Sequence, residues 1–291
     1  MEKISKSQIK LVKSLQQKKF RDELGLFVAE GEKCVEELRK SFELEYLIVE
    51  DSLTATRSYS TNGLIAKRSE LEQMSGLRTP QGVIGVFKKS SYSEAVLQSK
   101  GRSYSASGLT AEGGLTVEGG QQLTLALDAI QDPGNLGTII RTCDWFGVHD
   151  IFCSRDTADC YNPKVVQATM GALARVRVHY VDLPEWLKSQ ITNCKSQIAI
   201  IGTLLEGRDM YEELSTLDSR HSTNIIVMGN EGNGISQAVR QLVTLPIRIP
   251  SYPKNGASEH SGKNEEAPEV IESLNVSIAT AIVLAEFRRN L

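Results

Sequence analysis

Cysteine, histidine and long apolar runs are all scarce in this 291-residue sequence, and each shortage removes a class of function. Cys34, Cys143, Cys153, Cys160 and Cys194 form no CxxC pair and leave an odd thiol, so reduced cysteines in a cytoplasm are expected rather than a disulfide framework. His149, His179, His221 and His260 are scattered without the spacing of a zinc site, and no metal is expected. No segment approaches the roughly 20 apolar residues that span a bilayer. The opening MEKISKSQIKLVKSL lacks the apolar stretch of a signal peptide, so no membrane partner is expected either. There is no excess of positive charge: the net charge of −3 argues, on average, against a nucleic-acid binder.

The average conceals an asymmetry. Lys3, Lys6, Lys10, Lys13, Lys18, Lys19 and Arg21 crowd the start of the chain against a single acid, Glu2. On a helix, Lys3, Lys6, Lys10 and Lys13 would line one stripe, with Ile4, Leu11 and Leu15 turned toward a core. Such a stripe suits phosphates and salt-dependent binding, although the same pattern also describes a solvated helix face.

Beyond it, the chain divides by composition. Residues 1–89 form a compact α/β unit: a strand LFVAE, a helix from Gly31 to Arg39, the strand LEYLIV, a helix near Ser69 to Ser75 and a strand from Val83 to Phe87. Residues 90–122, containing QSKGRSYSASGLTAEGGLTVEGG, have the Ser/Gly-rich composition of a flexible linker. From Leu123 to Leu291, strands alternate with helices: LTLALD, DIFCS, ARVRVHY, IAIIGT, NIIVMG and LPIRI are separated or followed by helical segments. Apolar, β-branched strands in that order predict a parallel sheet covered on both faces.

Open α/β sheets bind ligands in loops at the carboxyl ends of their strands, and three polar motifs occupy such loops. The first is Asp132-Pro133-Gly134-Asn135-Leu136-Gly137 followed by Arg141; Asn135 suits a helix N-cap and Gly137 a close approach. By itself it is equally a capped helix with a surface arginine. The second, Gly229-Asn230-Glu231-Gly232-Asn233-Gly234-Ile235, is glycine-rich but is neither a dinucleotide fingerprint nor a P-loop. The third, Ser273-Leu274-Asn275-Val276-Ser277, opens an alanine-rich helix that Ser273 or Asn275 could cap.

In order and spacing, N-x-G-x-x-x-R, G-N-E-G-x-G-I and S-L-N-V-S together resemble the SpoU/TrmH family of RNA 2′-O-ribose methyltransferases, within the SPOUT class, over Leu123 to Leu291. V-A-E-G-x-K-x-x-x-E and T-P-Q-G-V in the front unit resemble the substrate-binding domain that often precedes such enzymes, a ribosomal-protein-like α/β RNA-binding fold. The resemblance implies a C-terminal parallel-sheet SPOUT domain with a deep trefoil knot, a homodimer, and methyl transfer from S-adenosylmethionine to a ribose 2′-hydroxyl of structured RNA, ribosomal rather than transfer RNA. It implies catalytic roles for Arg141, Asn135, Glu231, Ser273 and Asn275, and a cofactor pocket lined by Thr203, Gly229, Asn230, Gly234, Ile249, Leu274 and Asn275. With the front domain in place, Lys3, Lys6, Lys10, Lys13, Lys18, Lys19 and Arg21 become expected RNA contacts.

One segment departs from the family pattern. SYPKNGASEHSGKNEEAPEVIE, between Pro250 and Ser273, is longer and more polar than the usual short loop, and residues 251–270 read as an insertion: an inert surface loop, or a lid that orders on RNA. Three other readings compete. A noncatalytic RNA-binding or assembly factor would not need the full Asn135, Arg141, Glu231, Ser273 and Asn275 set. A Rossmann enzyme would carry its glycines where DPGNLG stands. A base methyltransferase would not need the Arg141 motif.

Overall fold

The structure is a computed structural model, and it describes residues 2–53, 63–90, 122–194, 198–216, 223–252 and 273–290. The expected linker, apart from its end residues, and nearly all of the 251–270 segment lie outside the described residues. Among the described residues no helix is long and apolar enough to cross a membrane.

In the front unit, strand β1 (Glu2–Lys3) leads to helices α1 (Lys6–Ser14) and α2 (Lys18–Leu24), strand β2 (Leu26–Glu30), helix α3 (Glu32–Leu38) and strands β3 (Leu44–Glu50) and β4 (Gly63–Ala66). Helix α4 (Arg68–Met74) and strand β5 (Val83–Lys88) complete it. The sheet runs β1-β4-β3-β5-β2, mixed in direction. The lysine stripe is shorter than its spacing suggested. Ser5 caps α1 with a reciprocal Ser5–Gln8 box, so Lys3 stays outside the helix on β1, pairing with Ile65 of β4.

The second sheet is wholly parallel, as the buried β-branched runs predicted. Strand β6 (Gln122–Leu127) is followed by helix α5 (Pro133–Trp145), strand β7 (Asp150–Ser154), helix α6 (Pro163–Thr169), strand β8 (Arg177–Val181) and helix α7 (Leu183–Cys194). Then come strand β9 (Ile198–Asp209), helix α8 (Met210–Ser215), strand β10 (Thr223–Met228), the short helix α9 (Gln237–Arg240), strand β11 (Leu245–Arg248) and helix α10 (Val276–Arg289). The strand order is β11-β9-β10-β6-β7-β8. All six residues of β10 are buried, because helices cover both faces.

The two sheets do not sit apart on a tether. Phe27, Val35, Leu38, Val49 and Phe87 of the front unit share one apolar cluster with Val165, Val166, Ala172 and Leu173 of the second. Helix α6 packs directly on β2, and the Phe27 ring centroid lies 4.7 Å from that of Tyr161. The opposite face of the front sheet holds its own cluster, including Val12, Leu15, Ile48, Leu71 and Met74.

Both tryptophans, Trp145 and Trp186, belong to the second unit, and Trp186 stacks on Phe152 at 3.9 Å. Emptying the fully buried Phe27 site with Phe27→Ala should cost about 3–5 kcal/mol. If the core is shared, tryptophan fluorescence in a urea titration will register that loss as a lower midpoint; an unmoved midpoint would show the two sheets melting separately.

Candidate active site

The site is assembled at the carboxyl edge of the parallel sheet, where the loops after β6 and β10 meet the amino end of α10. Helix α5 begins at Asp132, whose Oδ1 accepts the Asn135 amide at 2.8 Å, with Pro133 in the first turn. The expected cap, Asn135, therefore lies inside the first turn, and its side chain is left for other work. Gly137 is required because α6 crosses there: a Cβ would stand 2.5 Å from Ala168 Cβ and 2.9 Å from the Val165 carbonyl oxygen. Helix α10 begins at Asn275, whose Oδ1 accepts from the amides of Ser277 and Ile278 at 3.0 and 3.4 Å.

The three motifs converge on one carboxylate. Glu231 Oε1 accepts from Asn135 Nδ2 at 2.6 Å, Asn275 Nδ2 at 3.0 Å and the Val276 amide at 3.4 Å. Asn275 Nδ2 also donates to Asn135 Oδ1 at 2.9 Å. Helices α5 and α10 thus present their positive amino ends to a single anion. Their carboxyl ends are also joined, since Arg288 donates to the carbonyls of Phe146 and Gly147 at 2.8 and 3.2 Å.

Arg141 lies further along α5, exposed, with Thr138 and Trp145 three and four residues away on the same face. Its guanidinium has no hydrogen-bond or ion-pair partner among the described residues. Ser273 is exposed just ahead of α10. Gly229 and Ile249 directly follow β10 and β11, and Thr203 lies within the adjacent β9, one residue past Gly202, where its pairing with β10 ends. Leu274 stands beside Asn275 with 47% of its surface exposed.

Asn230 plays a different part from the one expected. Its Oδ1 accepts the amides of Gly232 and Asn233 at 2.9 and 3.1 Å, and its Nδ2 donates to the Ala129 carbonyl at 2.8 Å. Its backbone is engaged as well, the amide donating to the Gly234 carbonyl at 2.9 Å and the carbonyl accepting the Gly234 amide at 2.8 Å, so Asn230 shapes the loop. Ala129 itself has φ +58, a conformation few alanines adopt, and its amide donates to Ser154 Oγ at 2.8 Å. Asp128, buried at the end of β6, accepts the Ser236 amide at 2.7 Å. Asp128, Ala129 and Ser154 escaped the sequence reading. An acid closing an apolar strand four residues ahead of Asp132 was the available signal for the first.

Among the basic residues, Lys3, Lys6, Lys10 and Lys13 are exposed. Lys18 pairs with Asp22 at 2.6 Å and Lys19 lies 5.9 Å from the Phe20 ring centroid. Arg21 corrects the expectation of an RNA contact: it is 1% exposed and bound to Asp159 at 2.7 Å, out of reach of any polyanion. Thiol chemistry is likewise distant. Burial pushes the thiols of Cys34 and Cys160 up to about 11 and about 12, leaving no thiolate at neutral pH. His179 is buried against Asp150, the first residue of β7, at the opposite edge of the sheet.

Ile249 and Leu274 are apolar, Gly229 offers backbone, and Thr203 Oγ1, which donates to the Val227 carbonyl at 3.2 Å, keeps lone pairs for a ligand donor; none of the four is cationic, which suits a flat heterocycle with a polar edge. Residues 122–258 match the SpoU rRNA Methylase family model, and residues 6–85 match the MRM3-like substrate binding domain. A TrmH-family structure from Porphyromonas gingivalis is 32% identical, covering 99% of each chain with a TM-score of 0.72. The chain belongs to the SpoU/TrmH family of RNA methyltransferases. An rRNA methyltransferase from Sinorhizobium meliloti solved with AdoMet bound is 26% identical, over 100% of this chain and 97% of that one, with a TM-score of 0.70. The 23S rRNA (guanosine(2553)-2′-O)-methyltransferase RlmP of Bacillus subtilis is 26% identical over 99% of this chain and 98% of its own length. The chain is accordingly an S-adenosylmethionine-dependent enzyme with an RNA partner.

Two glycines of the second motif separate loop geometry from glycine content. A Cβ on Gly229 would lie 2.3 Å from the Gly234 carbonyl carbon, whereas one on Gly232 would meet nothing nearer than Asn230 Oδ1 at 3.5 Å. Gly229→Ala should weaken cofactor binding by roughly tenfold or more by forcing the loop open, while Gly232→Ala is tolerated. Calorimetric titration of the two variants decides; equal affinities would detach the loop from the cofactor.

Proposed function

We propose that this enzyme methylates a ribose 2′-hydroxyl of 23S ribosomal RNA in the cytoplasm, with Arg141 as the residue that touches the reacting nucleotide. The observation that carries the reading is the convergence of Asn135, Glu231 and Asn275, from three separate motifs, at the start of the helix whose exposed Arg141 has no partner among the described residues. When bound, S-adenosylmethionine supplies an electrophilic methyl group. Thr203, Gly229, Gly234, Ile249 and Leu274 would hold it, the apolar pair facing the adenine. Arg141 offers a planar, multidentate donor to the target phosphate and to the 2′-oxygen as charge develops there. Asn135, Glu231 and Asn275 fix the first turn of α5, the helix from which Arg141 projects further along, and Ser273 is exposed for contact with the ribose. Lys3, Lys6, Lys10 and Lys13 supply the electrostatic grip of the front unit on the RNA. The ribosomal target is supported by the full-length likeness to RlmP and by the front-domain match.

The same reading includes the division at residues 90–122, a deep trefoil knot made by threading the C-terminal segment through a loop, and a homodimer. Trp145 and Ile278, at 84% and 53% exposure on the adjacent helices α5 and α10, are the apolar surface such a dimer would cover.

Arg141→Ala is expected to abolish methyl transfer to RNA while S-adenosylmethionine still binds, as measured by labelled-methyl incorporation and titration; undiminished transfer overturns the assignment. Neutralising Lys6, Lys10 and Lys13 to Gln should flatten the dependence of log K on log salt by about 0.7–0.9 per lost phosphate contact. An unchanged slope would return the stripe to a solvated face.

A further inference from the structure

Charged residues that methyl transfer leaves unused are gathered between the two sheets, and Arg21 is the most deeply buried of them. Its Nε and Nη2 donate to Asp159 Oδ2 at 3.1 and 2.7 Å, while Nη1 donates to the carbonyls of Leu15 and Gln16 at 2.9 and 3.0 Å. One guanidinium therefore closes the carboxyl end of α1, the lysine-bearing helix, and grips the second unit at the same time. Asp159 is itself held, its Oδ1 accepting the Tyr161 amide at 3.0 Å, and Tyr161 stacks toward Phe27.

From Asp159 the connection to the active helix is short. The Ala158 amide donates to the Ile130 carbonyl at 2.8 Å, two residues before the Asp132 cap of α5. A second bridge runs in parallel. Arg175 grips Asp144 of α5 through Nε and Nη2 at 2.8 and 2.7 Å, and its Nη1 holds Glu37 of α3 at 2.6 Å. Asp144 lies three residues beyond Arg141 on the same helix.

We propose that Arg21, through Asp159, is a positioning residue for methyl transfer: it fixes the lysine-bearing α1 relative to α5, so that RNA held by the lysines presents its ribose to Arg141. This inference rests on the RNA-methylation reading. A buried ion pair adds little net stability over an apolar pair of similar size, but it sets orientation through directed hydrogen bonds. Orientation is what transfer between distant contacts requires, since displacements of about 1 Å can cost about a hundredfold in rate.

The test uses the full-length enzyme in three forms: wild type, Asp159→Asn, and Arg21→Met combined with Asp159→Leu, which removes the pair without leaving a buried charge alone. Spin labels at Glu72 and Lys188, both exposed and remote from the site, report the distance between the units. Both variants should broaden that distance distribution and raise the KM for RNA roughly tenfold, with S-adenosylmethionine affinity within about twofold of wild type. In a background with Lys6, Lys10 and Lys13 changed to Gln, Asp159→Asn should add little further loss, because the two changes act on one interaction. Unbroadened distances, an unchanged KM for RNA, or a full additional loss on the lysine-free background would each overturn the proposal. If the wild type proves not to methylate RNA ribose, the underlying reading falls, while the distance measurement still decides whether Arg21 is a latch.

Discussion

The site depends on a single carboxylate oxygen. Glu231 Oε1 gathers the side-chain amides of Asn135 and Asn275 and the backbone of Val276, and so joins three segments that are far apart in sequence. Two helix amino ends pointed together would repel; an anion between them turns the conflict into attraction. Each asparagine then has one orientation that satisfies both its amide and its carbonyl, and the α5 turn leading to Arg141 is set accordingly. Because the carboxylate is exposed, the value of this arrangement lies in geometry more than in stability.

Around this centre the molecule is built in close layers. The front sheet lies on α6, α6 lies on α5 with only Gly137 between their backbones, and α5 carries Arg141. Reinforced by a joint apolar core and two ion-pair bridges, the layers make the lysine face and the active helix parts of one packed body. Binding energy gathered at the lysines can be spent on placing a ribose only if nothing between the two surfaces yields.

The parallel sheet was legible because buried strands of an α/β fold must be apolar throughout, and IAIIGT and NIIVMG are. The three motifs were legible as a set because their order and spacing are specific where each alone is not. Other features were hidden for identifiable reasons. Arg21 looked like its lysine neighbours, since nothing local reveals an acid 138 residues away that buries it. Asn135 looked like a cap because Asp132, the actual cap, sits behind a proline that is equally at home in a turn. Asn230 looked like a ligand residue, yet its side chain is consumed in shaping its own loop. The short elements β4 and α8 went unread because a four-residue strand and a six-residue helix carry too little periodicity to register. A Ser/Gly-rich connection reads as a linker between two units, and composition cannot show that the facing surfaces of those units are complementary.

The contact of β2 with α6 also bears on how such enzymes diversify. The front domain and the methyltransferase domain match separate family models, as if they were interchangeable modules. Here the seam between them is a continuous apolar surface, from Phe27 and Val35 on one side to Val165 and Leu173 on the other. A front unit with a differently shaped face would leave that surface without matching apolar partners, so exchanging one half calls for reshaping the seam as well.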